Sequence, residues 1–170
     1  MSNLICRALL GFAVVALGAQ SALAESPAEF YRGKTVTLLI SSGTGGGYDT
    51  LARIIANHLG KHIPGTPQVI VRNMAGAGGI VATNHLYNVA AKDGTVVGGV
   101  QNNTPFEPLF GTKAASYDPL KFNWLGTPSV EVSIATVWHK TPVMTWEDTR
   151  TREITMGSSG VNSTPSFYGR

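Results

Sequence analysis

The stretch from Gly43 to Arg53, GTGGGYDTLAR, concentrates residue types that can do chemistry. Four glycines fall within five positions, Gly43 to Gly47. They leave backbone that a ligand can approach closely, and they permit positive φ. Asp49 follows, and Arg53 stands four residues on, the spacing of an ion pair along one helix face. Asp49 has the reach of a general base, but a carboxylate at a helix start beside an arginine points first to a structural pair. Two further stretches repeat the theme, Ala75–Gly79 (AGAGG) and Gly157–Gly160 (GSSG). Each of the three follows an apolar run and precedes a helix-like pattern. A helix start offers unpaired N–H groups and the positive end of the helix dipole. The chemistry implied is capture of a carboxylate or phosphate by backbone amides. The same glycines also suit plain tight turns, and spacing alone leaves both readings open.

Known anion motifs do not fit. A P-loop needs a lysine after its last glycine, and none follows Gly47. A dinucleotide-binding G-x-G-x-x-G counted from Gly43 ends on Tyr48, and counted from Gly76 it ends on Val81. The nucleophile elbow G-x-S-x-G is one residue longer than GSSG. His58 and His62 are four apart, as zinc ligands on a helix can be, but no glutamate follows His58 and no third ligand suggests itself. His85 and His139 are isolated. Trp124, Trp138 and Trp146 all fall late in the chain and suit core or contact positions. No nucleophile stands at a defensible spacing from a base. No catalytic residue, metal site or cofactor is therefore assigned.

The elements that must position these loops alternate. Lys34–Ser41 (KTVTLLIS) is β-branched and bounded by glycine, and reads as a buried strand. Tyr48 to Ile63 has apolar residues at Leu51, Ile54, Ile55, Leu59 and Ile63, a helical spacing with one apolar face. QVIVRN is a second strand. Ile80 to Ala91 is a second helix, with Ala82, Leu86, Val89 and Ala90 on one side. TVVGGVQ is a third strand, and Asn102-Asn103-Thr104 precedes a short helical turn with Pro105 at its start. Alternation of this kind predicts an α/β fold with a parallel sheet. Beyond Gly111 the pattern changes to period two, with Val130, Val132 and Ile134 on one side, and a strand is expected there. Thr145 is placed to cap a short helix carrying Glu147 and Asp148. A further strand is expected before GSSG, and the start of a helix after it. A boundary between two lobes is expected between Gly111 and Pro128.

Composition narrows the class. The chain has 170 residues, 43% of them hydrophobic and 14% charged, which is globular and not disordered. Net charge is +3 with no run of lysine or arginine, so a nucleic-acid footprint is lacking. The first 24 residues read as a signal peptide: Arg7 before the apolar core ALLGFAVVALGA, then the cleavage pattern Ala22-Leu23-Ala24. That core is too short to span a bilayer. The single cysteine, Cys6, lies within these 24 residues and before the apolar core, so a chain starting at Glu25 has none. Such a product is expected to be exported to the periplasm without spanning the membrane.

Three blocks carry a family resemblance: FYRGKTVTLLISSGTGGGYDTLARIIANHLGKHI, VIVRNMAGAGGIVATNHLYNVAAKDGTVVGG and ITMGSSGVNSTPSF. Their order and spacing resemble the substrate-binding proteins of tripartite tricarboxylate transporters, the Bug family. The resemblance implies a periplasmic-binding-protein type II fold. Such a fold has two lobes with parallel-core sheets and an organic acid held in the cleft between them. It implies recognition by backbone N–H groups from one loop of each lobe, delivery to membrane permease subunits, and no catalysis. The matching positions are Gly45, Gly46, Gly47, Tyr48 and Asp49 in the first loop, and Ser158, Ser159, Gly160, Asn162 and Ser163 in the second. Asn102 and Asn103 occupy the third strand-to-helix junction, which faces the cleft in such a fold. Residues 25–115 would form the first lobe, and 116–170 the crossover and the start of a second. Family members continue well past this point, so the second lobe is expected to be incomplete and the chain shortened at its C-terminus. The family commonly carries an acidic residue before the Asn of its second glycine motif and a basic residue and proline after it; this chain has Arg72, Met74 and Ala75. The competing expectations are an exported α/β enzyme using Asp49, His85 or a serine loop, and a nucleotide-binding domain using the glycine loops.

Overall fold

A computed structural model of the chain describes residues 25–130, 132, 134–158 and 164–168. The expected signal peptide, 1–24, lies outside the described residues, as do Ser159, Gly160, Asn162 and Ser163. Helix α1, Pro27–Tyr31, opens with a capping box: the Glu29 amide donates to Ser26 Oγ, and the Ser26 amide donates to Glu29 Oε2. Strand β1, Thr35–Ile40, follows, then α2, Gly47–Leu59, which tightens into a 3₁₀ turn at Gly60–His62. Strand β2 is Gln68–Asn73, helix α3 is Ile80–Asn88, and strand β3 is Val96–Gly99. A last short helix, α4, covers Thr164–Tyr168.

The three strands form one parallel sheet in the order β2-β1-β3, with Leu39 opposite Arg72 on one side and opposite Gly98 on the other. The chain is thus α/β with a parallel sheet, the arrangement expected of a lobe of a periplasmic-binding-protein type II fold. Period-two geometry sends Leu38 and Ile40 to one face and Leu39 to the other. Both faces are covered near β1, which is why Leu38, Leu39 and Ile40 are all buried. Helix α2 covers the Leu38–Ile40 face, where Ala52, Ala56, Tyr48 and Ile55 meet Val69, Val71 and Val97. Helix α3 covers the opposite face, with Leu86 over Gly98.

The inward side of α2 differs from the expected one. Ala52 and Ala56 are buried against the sheet, and Ile54 is 54% exposed. Two alanines let the helix lie close to the strands, and Asp49, on the same side, is drawn in by its own partners. Val89, expected on the buried side of α3, is exposed, and Ile80, Ala82 and Thr83 are buried in its place. The strand expected around Val130 is not formed among the described residues: Val130, Val132 and Ile134 are 92%, 83% and 83% exposed. Alternation records which way side chains point, but a strand also needs a neighbour to pair with, and none of the described strands pairs there. The segment before GSSG is likewise not a strand among the described residues. Thr145 does act near a helical start. Its Oγ1 accepts from the Asp148 amide, while Asp148 Oδ2 accepts from the Met144 and Thr145 amides, ahead of the 3₁₀ turn Glu147–Arg150. Among the described residues no helix is long and apolar enough to cross a membrane.

Candidate functional site

The strand order creates the site. From β1 the chain crosses to β2 on one side, and from β2 it returns to β3 on the other. The loops leaving β1 and β3 therefore diverge at their carboxyl ends, the place where open α/β sheets hold ligands. Ser41 to Gly46 leaves β1, Val100 to Asn103 leaves β3, and Gly76–Gly79 comes over from β2.

The first loop is held from below. Asp49 is 3% exposed, and its carboxylate accepts from Arg53 Nε and Nη2 at 3.0 Å each, from Asn73 Nδ2 at 2.8 Å and from the Gly45 amide at 2.9 Å. These bonds, the Arg53 pair foremost, hold the Asp49 carboxyl well below the usual carboxylate range. A carboxylate so engaged and so anionic is a poor general base and a poor ligand for an anion. Its effect is to fix the turn through Gly45, whose φ of +84° a residue with a side chain rarely adopts. Asn73, the last residue of β2, completes the network: its Nδ2 also donates to the Ser42 carbonyl at 3.1 Å, and its Oδ1 accepts from Arg53 Nη2 at 3.2 Å. Sequence reasoning assigned Asn73 no function, although it begins the second glycine motif. The asparagine beside a strand end was the available signal.

Above this network the backbone is open. Gly46 is the N-cap of α2, and no side chain caps the helix. A Cβ at Gly43, Gly46 or Gly47 would have no atom within 4 Å. Packing within the described chain therefore does not require glycine there, and Gly46 has an ordinary extended φ of −84°. The contrast with Gly60 is direct: a Cβ there would stand 2.5 Å from the Pro67 carbonyl oxygen. Open space thus lies beside Gly43, Gly46 and Gly47 at the start of α2, where the positive end of the helix dipole favours an anion.

The third junction is built differently. Asn103 is buried, and its Nδ2 donates to Glu107 Oε1 at 3.0 Å; Glu107 Oε2 accepts from Thr112 Oγ1 at 2.6 Å. The Tyr117 hydroxyl donates to the Thr104 carbonyl at 2.8 Å. Burial first, and then the Glu107 charge, push that hydroxyl's pKa up to about 12. Glu107 and Tyr117 were missed in the sequence, where a lone glutamate and a lone tyrosine gave no spacing to read. Thr164, at the start of α4, brings its hydroxyl 2.9 Å from Asn102 Oδ1 and 3.2 Å from Asn103 Oδ1. The segment after the GSSG loop therefore reaches the β3 junction. Ser158 is exposed. Of the other residues weighed, His58 lies with Nδ1 3.3 Å from Lys61 Nζ, and among the described residues no three His, Cys, Asp or Glu side chains converge.

No family model matches the chain. Over 119 residues it is 32% identical to a UPF0065 protein in gbd 5'region from Cupriavidus necator. That match takes in 70% of this chain and 35% of the relative's length.

Proposed function

We propose that the chain is part of an extracytoplasmic solute-binding protein that captures an organic carboxylate, a di- or tricarboxylate or a related acid, for a tripartite tricarboxylate-type transporter. The observation that carries this reading is the start of α2: no side chain caps the helix, it lies at the divergence of β1 and β3, and among the described residues no contact accounts for glycine at 46 and 47. Similarity to a UPF0065 protein supports it, since UPF0065 is the family name of Bug-type receptors. Gly45, Gly46, Gly47 and Tyr48 bind the anion in this account, with Asp49 setting the loop from behind. Asn102 and Asn103 flank the cleft. Ser158, Ser159, Gly160, Asn162 and Ser163 supply the facing loop of a second lobe. Residues 25–115 form the first lobe, 116–170 form the crossover and the beginning of the second, and the span between Gly111 and Pro128 is the hinge on which the lobes close. The leader 1–24 directs the protein to the periplasm, where membrane permease subunits receive the ligand. No step of bond making is involved.

Thermal denaturation against a panel of carboxylates tests the reading, with NAD and ATP as controls, because a ligand bound only by the native state raises its stability. Stabilisation by one or more carboxylates and by neither nucleotide is expected. Stabilisation by ATP or NAD alone would remove the proposal.

A further inference from the structure

Helix α3 and the sheet separate toward β2. Leu86 seats on Gly98, where any side chain would overlap its Cδ2, so α3 is held down over β3. On the same sheet face β2 presents Ile70 and Arg72, opposite Thr37 and Leu39, and both are exposed. Between them lies a groove of about 280 Å³ with Leu39, Val89 and Val96 on its walls and with Arg72 and His85 lining it. Among the described residues neither the Arg72 guanidinium nor the His85 ring has a hydrogen-bond or ion-pair partner. The groove is on the opposite face of the sheet from α2 and the Asp49 network, and its occupancy does not depend on the function proposed above.

Two donor groups beside an apolar wall select a particular ligand. A guanidinium fits a carboxylate through two parallel N–H···O bonds. The apolar residues beside it give the ligand's hydrocarbon a surface to cover. Beyond Arg72 and His85 the lining holds no cationic group to pair with a second carboxylate on the same ligand. The volume stands at the small end of ligand sites, which favours a small molecule. We propose that the groove between α3 and the sheet binds a small monocarboxylate with an apolar body, its carboxylate on Arg72 and His85 and its hydrocarbon on the Leu39–Val89–Val96 wall.

Nuclear magnetic resonance of the full chain tests this with butyrate as the probe and butyramide as its neutral isostere. Butyrate is expected to move the His85 ring and Arg72 Nε resonances saturably. Butyramide, and butyrate with Arg72→Gln, should bind about tenfold more weakly, the loss of a charge-assisted hydrogen bond. Gly46→Val should leave the butyrate response of the groove unchanged, which separates this site from the glycine loop. The proposal is overturned if His85 and Arg72 do not respond. It is equally overturned if butyramide matches butyrate, or if the shifts are confined to the amides of Gly43–Gly47.

Discussion

Where the three loops meet, two hydroxyls are left over. Among the described residues Ser41 Oγ and Thr104 Oγ1 are buried without a hydrogen-bond partner, each residue 1% exposed. They converge on Gly79: a Cβ there would stand 3.2 Å from Ser41 Oγ and 3.4 Å from Thr104 Oγ1. A buried hydroxyl without a partner keeps a desolvation cost of about 1–3 kcal/mol. Thr104→Val removes the oxygen and keeps the branched shape, at nearly equal helix propensity. The bond from Tyr117 goes to the Thr104 carbonyl and is unaffected. We therefore expect a gain of about 1 kcal/mol, or a rise in Tm of about 3 °C for a chain of this size. Thr83→Val is the control. Thr83 is equally buried, but its Oγ1 donates to the Gly79 carbonyl at 2.9 Å, so the same change should lose about 1 kcal/mol. Urea denaturation of both variants gives the comparison. A loss of about 1 kcal/mol or more from Thr104→Val would refute the reasoning, because it would mean that the hydroxyl is hydrogen-bonded in solution.

Two other outcomes follow from the same geometry. Gly60 has a helical backbone, so alanine would ordinarily stabilise it, but the Pro67 carbonyl stands 2.5 Å from the new Cβ; Gly60→Ala should therefore destabilise by about 1–3 kcal/mol, and a gain in chemical denaturation would contradict the close approach. Stability should also depend on pH at both ends. Asp49, Asp93, Asp148 and Glu29 all have lowered folded-state values, so their contributions are complete above the ordinary 3.8 and 4.5 and are lost as pH falls below them. Tyr117 is raised, so its contribution is complete below the ordinary 10.0 and is lost as pH rises toward about 12. A pH series of melts that stays flat from pH 5 down to pH 2 would contradict the acid limb.

The alternation of elements was legible because β-branched runs and apolar helical spacing are local signals, and the sheet forms where they placed it. The faces of the helices were not. Ile54 looked inward by periodicity, but close approach of Ala52 and Ala56 to the sheet and the pull of Arg53, Asn73 and Gly45 on Asp49 turn α2 otherwise. Those partners lie up to 24 residues apart in sequence, beyond the reach of a periodic pattern. Val130 to Ile134 failed for a related reason: alternation is local, whereas strand pairing needs a neighbour supplied from elsewhere. The glycine loop was read correctly as a position, after a strand and before a helix. That its glycines are unrequired by internal packing, unlike Gly60 and Gly79, emerges only when the surrounding atoms are known.

Amide resonances of the first loop give the most direct measurement. On adding the carboxylate that most raises Tm, the Gly46 and Gly47 N–H signals should move downfield and saturate, and Gly46→Val, which fills the open space above the helix start, should abolish the binding while the protein stays folded. Saturable carboxylate binding that leaves those amides unmoved, or that survives Gly46→Val unchanged, would contradict the account.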